Sequence, residues 1–131
     1  MIHTSTCTCG ALTLTLDGEL PPLSLCHCNA CKKRSGSAYG AQVRLDASRV
    51  SLTGPHSEYT RVGDSGGVIT YSFCPTCAST LCWTIDALPG SVIAAAGNFD
   101  GVELPAPTSS FYEERMPGWV HLPETVTFHV D

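Results

Sequence analysis

The chain has 131 residues, of which 43% are apolar and 15% charged, and its twelve acidic and seven basic side chains leave a net charge of −5. This length fits a single domain over residues 1–131, and the apolar content excludes a disordered chain. The acidic balance excludes a general affinity for nucleic acid, which needs a basic face to displace counterions from phosphates.

Met1-Ile2-His3-Thr4 leads into polar residues without the basic and apolar stretches of a secretory signal. The expectation is a cytoplasmic protein whose thiols stay reduced. The first clear alternation is Leu12, Leu14 and Leu16 with Thr13 and Thr15 between them, a strand with one buried face, ended by a turn at Asp17-Gly18. Tyr39 to Leu45 alternates again, and Val50-Ser51-Leu52 predicts a short strand stopping at Gly54-Pro55. Ser57 to Val62 and Val68 to Phe73 flank Gly63-Asp64-Ser65-Gly66-Gly67, a hairpin loop in which glycine accepts positive φ. Leu81 to Ile85, Val92 to Ala96 and Thr125 to Val130 complete the strands. The run Val92 to Ala96 is far short of the ~20 apolar residues of a membrane span, so no membrane partner is expected.

No segment predicts a helix of ten or more residues. Short strands between Gly, Pro and Asp turns predict a mostly β fold, a small domain of antiparallel sheets. The nine prolines agree, because proline removes a ladder donor and gathers in loops such as Pro105-Ala106-Pro107 and Pro117-Gly118.

Seven of the eight cysteines form three groups: Cys7-Thr8-Cys9, Cys26-His27-Cys28-Asn29-Ala30-Cys31 and Cys74-Pro75-Thr76-Cys77. Zinc takes four soft ligands in a tetrahedron, and thiols paired closely on tight turns supply them. Cys74 and Cys77 have the spacing of a zinc knuckle, and a knuckle brings two ligands, so a second pair must close its site. Cys7 and Cys9 could close it, leaving Cys26, Cys28 and Cys31 as an open three-sulfur site able to receive water or a substrate. Alternatively, the central trio could draw a fourth ligand from elsewhere and leave one pair idle. Ligand count favours the first arrangement, which uses all seven thiols. Interleaved disulfides would suit a secreted chain, and a redox role for Cys74 and Cys77 would want a βαβ context; neither is found here.

His27, flanked by Cys26 and Cys28, would point away from both in an extended backbone and reads as a structural or supporting residue before a ligand. Cys82, before Trp83 on a strand, reads as a buried small hydrophobe. Lys32, Lys33 and Arg34 follow the trio, where they could balance the formal −1 charge of a zinc with three thiolates, attract an anionic substrate or lower a thiol pKa. Phe99, Phe111, Tyr112 and Trp119 read first as core and second as pocket lining.

Three stretches together resemble the glutathione-dependent formaldehyde-activating enzyme family, whose domain also occurs in a centromere-associated protein. Cys7-Thr8-Cys9-Gly10-Ala11-Leu12 resembles its C-x-C-G segment. Cys26 to Ala41 resembles its C-H-C-x-x-C segment with the basic, Gly-Ser and aromatic residues that follow. Phe73-Cys74-Pro75-Thr76-Cys77 resembles its F-C-x-x-C knuckle, although Ala78 stands where the family usually has glycine. Near the C-terminus, Ser109, Phe111, Glu114-Arg115 and Pro117-Gly118-Trp119 echo a family segment but lack its histidine.

The resemblance implies an Mss4-like β fold stapled by zinc. It implies a structural zinc on Cys7, Cys9, Cys74 and Cys77 and a second, catalytic zinc on Cys26, Cys28 and Cys31. The implied activity joins formaldehyde to glutathione, a carbon–sulfur lyase reaction in the reverse sense, with a small-molecule thiol and aldehyde as partners. The alternatives are a non-catalytic, zinc-stabilised protein-binding module and a zinc enzyme for another small electrophile.

Overall fold

A computed structural model describes residues 1–131. In chain order the strands are β1 (Ile2–Thr6), β2 (Thr13–Asp17), β3 (Leu23–Cys26), β4 (Gly40–Asp46), β5 (Val50–Thr53), β6 (Ser57–Val62), β7 (Val68–Phe73), β8 (Thr80–Ile85), β9 (Ser91–Ala95), β10 (Pro107–Phe111) and β11 (Phe128–His129). One helix, α1 (Asn29–Ser35), follows β3, and single 3-10 turns lie at Ala47–Arg49, Ala96–Asn98 and Glu113–Arg115. No helix is long and apolar enough to cross a membrane.

The strands form a three-stranded sheet, β1-β2-β5, and an eight-stranded sheet in the order β11-β10-β3-β4-β9-β8-β7-β6. The mostly β expectation holds, and pairing is antiparallel except at one edge, where β10 runs parallel to both β3 and β11.

Alternation sorts the large sheet into two working faces. Val43 and Leu45 on β4, Ala94 on β9, and Leu81 and Cys82 on β8 join Leu12, Leu14 and Leu16 in the main core, between the two sheets. Leu81 and Cys82 are neighbours yet share this core because the β7–β8 register slips between Ser72 and Phe73. The intervening residues face the other way: Trp83, Ile93 and Ala95 form a second cluster with Ile69, Tyr71, Ile85 and Leu88. Strand register lines up Arg44, Ile93, Trp83 and Tyr71 on one rung across β4, β9, β8 and β7.

Sequence patterning misses β1, β3 and β10, the first and last of these for a common reason. Ser5 is the only buried residue of β1 and Ser110 the only one of β10, so neither shows apolar alternation. Pro107, expected in a loop, opens β10, a first-residue position that proline tolerates. The strand expected over Thr125 to Val130 shrinks to Phe128–His129, because only Val126 in that segment is buried and little apolar surface drives further pairing.

The 3-10 turn joining β4 to β5 is capped by Asp46, whose carboxylate accepts hydrogen bonds from the Ser48 amide (2.9 Å) and hydroxyl (2.8 Å). Those bonds hold the Asp46 carboxyl below its ordinary value of 3.8. A carboxyl depressed in the folded state stabilises the fold above its unfolded pKa, and that contribution disappears as pH falls through the folded value. Asp46→Asn is therefore expected to lower stability at neutral pH, with the gap to the parent chain closing below about pH 4; chemical denaturation at a series of pH values checks this.

Candidate metal and substrate site

The sulfurs fall into two clusters. Those of Cys7, Cys9, Cys74 and Cys77 all lie within 4.8 Å of one another, as do those of Cys26, Cys28 and Cys31. All eight cysteines are free thiols. A tetrahedron with metal–sulfur bonds of about 2.3 Å has sulfur–sulfur edges of about 3.8 Å. Cys7 Sγ to Cys9 Sγ and Cys9 Sγ to Cys74 Sγ both measure 3.6 Å, so the four-sulfur cluster has the dimensions of a metal cage.

Two tight turns build that cage. In the β1–β2 loop, the Leu12 amide donates to Cys7 Sγ (3.2 Å), the Gly10 amide donates to the Cys7 carbonyl, and Gly10 takes a left-handed φ of 81°. The β7–β8 loop repeats the plan: the Ala78 amide donates to the Cys74 carbonyl, and Ala78 adopts φ 67°. This left-handed geometry gives the physical reason for glycine at that position, since a Cβ there strains the backbone. Ser79 Oγ locks the two turns together by accepting from the Thr8 amide (3.2 Å) and lying 3.1 Å from Thr8 Oγ1. Hydrogen bonds from Ser79 and the Cys9 amide draw the Cys77 thiol down to about 5, so this knuckle favours a thiolate before any metal arrives.

The three-sulfur cluster sits where β3 meets α1. Cys26 ends β3, Cys28 caps α1 by accepting from the Cys31 amide (3.3 Å), and Cys31 lies in its first turn. Hydrogen bonds from the thiols of Cys26 and Cys31, with the Cys31 and Ala30 amides, hold Cys28 far below the ordinary thiol value. The neighbouring Cys28 sulfur pushes Cys26 up to about 11, and both neighbours push Cys31 upward. A soft metal binding these three sulfurs would displace the protons that remain on them.

The trio opens on a cavity of about 380 Å³ lined by the second face of the large sheet. Cys26, Cys28 and Cys31 stand beside Gln42, whose Oε1 is 3.8 Å from Cys31 Sγ. Trp83, Ile93, Ile85, Ile69 and Leu88 give the apolar wall, and Phe111 and Tyr112 line the side after β10. Arg61 lines it too, its Nε donating to the Tyr71 hydroxyl at 2.9 Å. The loop between β6 and β7 reaches across to the turn after β10, where Arg115 Nη1 meets Asp64 Oδ2 at 2.6 Å. β10 and β6 lie near opposite ends of the sheet order, so this ion pair joins regions that only a strongly curled sheet brings together.

The basic run divides by role. Lys33 is exposed. Lys32 Nζ donates to the Arg115 carbonyl at 2.6 Å. Arg34 folds its guanidinium 4.4 Å over the Trp83 ring, with its buried Nε left without a partner. Burial draws the Arg34 pKa down, while the nearby Cys31 sulfur opposes that fall, so this residue supplies the local positive charge beside the trio. All three also sit in the last turn of α1, where cations suit the helix dipole.

His27 is fully buried but belongs to neither sulfur cluster; its Nε2 lies 3.0 Å from Ser110 Oγ on β10. Desolvation lowers its pKa. Cys82 lies in the main core, where burial raises its thiol to about 11. Phe99 is core, and Trp119 is 70% exposed, away from both core and cavity. Gln42, Arg44, Tyr71, Trp83 and Ile93 carry no motif, and their signal was the complement of the core pattern: once Val43 and Leu45 face inward, Gln42 and Arg44 must face the cavity.

The family model described as glutathione-dependent formaldehyde-activating enzyme matches residues 2–115. The chain belongs to this family. No curated protein matches it. Among solved structures, a crystal structure of a Rhodobacter sphaeroides protein superposes with a TM-score of 0.60 at 20% identity, covering 79% of this chain and 98% of that one. At that identity the similarity concerns the fold alone. The family match spans both sulfur clusters and the strands that form the cavity floor, and it ends at Arg115, the residue that meets Asp64.

Two outcomes follow. Relieving the left-handed strain by Ala78→Gly is expected to leave the fold at least as stable, whereas Ala78→Val is expected to cost more than about 1 kcal/mol, read by thermal or urea denaturation. Removing the buried cation by Arg34→Met is expected to weaken metal retention at the trio about 10–100-fold and leave the four-sulfur site unchanged, read by chelator competition with metal counted per chain.

Proposed function

We propose that the protein is a zinc-dependent enzyme that joins a small aldehyde to a thiol such as glutathione, a carbon–sulfur lyase-type reaction of which formaldehyde addition is the family's namesake. One observation carries this reading: three clustered thiols, too few to close a tetrahedron, open directly on a cavity of about 380 Å³. The closed set of Cys7, Cys9, Cys74 and Cys77 suits a structural zinc, and Cys26, Cys28 and Cys31 suit a second with one position free. Bound there, zinc supplies Lewis acidity toward an aldehyde oxygen or stabilises a thiol as its thiolate.

The chain's own groups supply the rest. In the addition, the thiol sulfur bonds to the carbonyl carbon, the C=O double bond becomes a single bond, and the thiol proton ends on that oxygen. The Gln42 carboxamide, beside Cys31, orients the carbonyl oxygen at the trio. Arg34, stacked over the Trp83 ring, balances the negative charge of the trio. Arg44 and Arg61 offer cations to the carboxylates of a glutathione-like thiol. The largely apolar wall offers water few hydrogen-bond partners, which disfavours competing hydration of the aldehyde. A reducing, cytoplasmic setting keeps seven thiols available as ligands.

The expected result is two zinc ions per chain, and formaldehyde-plus-glutathione turnover that falls roughly 100-fold or more in Cys28→Ala while the four-sulfur zinc remains. Metal analysis beside a turnover assay checks both. One tightly held zinc, no turnover, and Cys26, Cys28 and Cys31 freely alkylated would instead mark a zinc-stabilised binding module.

A further inference from the structure

We propose that the cavity beside the trio selects an electrophile bearing an apolar group of about phenyl size, in place of a one-carbon aldehyde. The proposal rests on the aldehyde–thiol reading of the site and specifies its substrate class.

Volume is the first argument. Formaldehyde and the cysteinyl end of a thiol such as glutathione fill only part of about 380 Å³, which lies within the range of pockets that enclose whole drug-sized ligands. The second is the distribution of polar groups. Gln42 stands at the trio, and Arg61, Asp64 and Ser65 come from β6 and the hairpin loop it enters. Between them, Ile93, Trp83, Ile85 and Ile69 succeed one another across β9, β8 and β7, with Leu88 from the β8–β9 loop. Along this stretch the indole N–H of Trp83 is the only side-chain donor, and no side chain accepts a hydrogen bond. The peptide groups of glutathione laid along it would lose their hydrogen bonds to water, a cost that a phenyl or medium alkyl group escapes.

Register adds a third argument. Ile93, Trp83 and Tyr71 occupy one rung, and Ile69 pairs with Ile85 on another, so the wall is a continuous patch on rigid sheet. It lies within a cavity whose lining also includes Gln42, Arg44 and Asp64, unlike an exposed apolar surface available to any partner. The thiol's carboxylate then stays with Arg44, on β4 beside Gln42 at the trio's end of the cavity, while the electrophile's substituent covers the isoleucines. An apolar pocket discriminates through the area it buries, so each added methylene in this position raises affinity severalfold until the wall is covered.

S-benzylglutathione and S-methylglutathione share the tripeptide and do not react, so they isolate the substituent. Titrated by calorimetry into the zinc-loaded full chain, the benzyl compound is expected to bind at least about tenfold more tightly. Leu88→Gln, in a loop, and Ile85→Gln, half-buried near the end of β8, are each expected to shrink that ratio to about threefold or less without weakening the methyl compound. Circular dichroism establishes that each variant is folded. Equal affinities, a preference for the methyl compound, or no binding of either would overturn the proposal. Formaldehyde turnover alongside equal affinities would overturn it and leave the aldehyde–thiol reading standing. Benzyl selectivity without turnover of formaldehyde, benzaldehyde or hexanal would support the cavity's ligand class and overturn the catalytic reading alone.

Discussion

Four sulfurs drawn from two turns 65 residues apart in sequence set the frame for this molecule. Cys7 and Cys9 belong to the loop closing β1 onto β2, and Cys74 and Cys77 to the loop between β7 and β8, so the cage fastens the small sheet to the large one. Cys7 and Cys74 are themselves members of the main hydrophobic core, which makes packing and ligand placement one constraint. Sulfurs crowded to 3.6 Å cannot all ionise without a cation, because like charges this close repel, and a metal bound among them would return its binding energy as folding energy. A chain of this length gains from such a staple because its core alone buries limited surface.

With the sheets fastened, the period of two along each strand does the remaining sorting. One face of β4, β8 and β9 completes the core with Leu12, Leu14 and Leu16, and the other floors the cavity. Core packing and cavity lining are therefore carried by adjacent residues of the same strands. The trio lies where β3 gives way to α1, and Arg34, one turn further along that helix, reaches back over Trp83. The helix thus holds two thiol ligands, counting Cys28 at its cap, together with the charge that offsets them.

Family membership supplies the scaffold and the two sulfur clusters, but reactivity lives in the site and not in the fold. Here the site is asymmetric: polar and thiol-rich at one end, apolar along the wall, and bridged by an ion pair between the hairpin loop and the turn after β10. In the proposed reaction, that arrangement would separate activating a carbonyl from choosing which carbonyl compound enters.

The sequence by itself determined the cysteine groups and most of the strands, because both are local: a thiol pair on a tight turn and an alternating run each announce themselves within a few residues. It left the pairing of those thiols to ligand counting. It did not determine β1 or β10, whose residues are largely polar and become strands through partners supplied by the rest of the chain. Nor did it distinguish Lys32, Lys33 and Arg34, adjacent in sequence but turned by α1 toward a carbonyl, solvent and an indole respectively. The wall of Trp83, Ile93 and Tyr71 and the meeting of Arg115 with Asp64 were decided only by tertiary structure, since strand order and sheet curl bring together residues with no short-range relation.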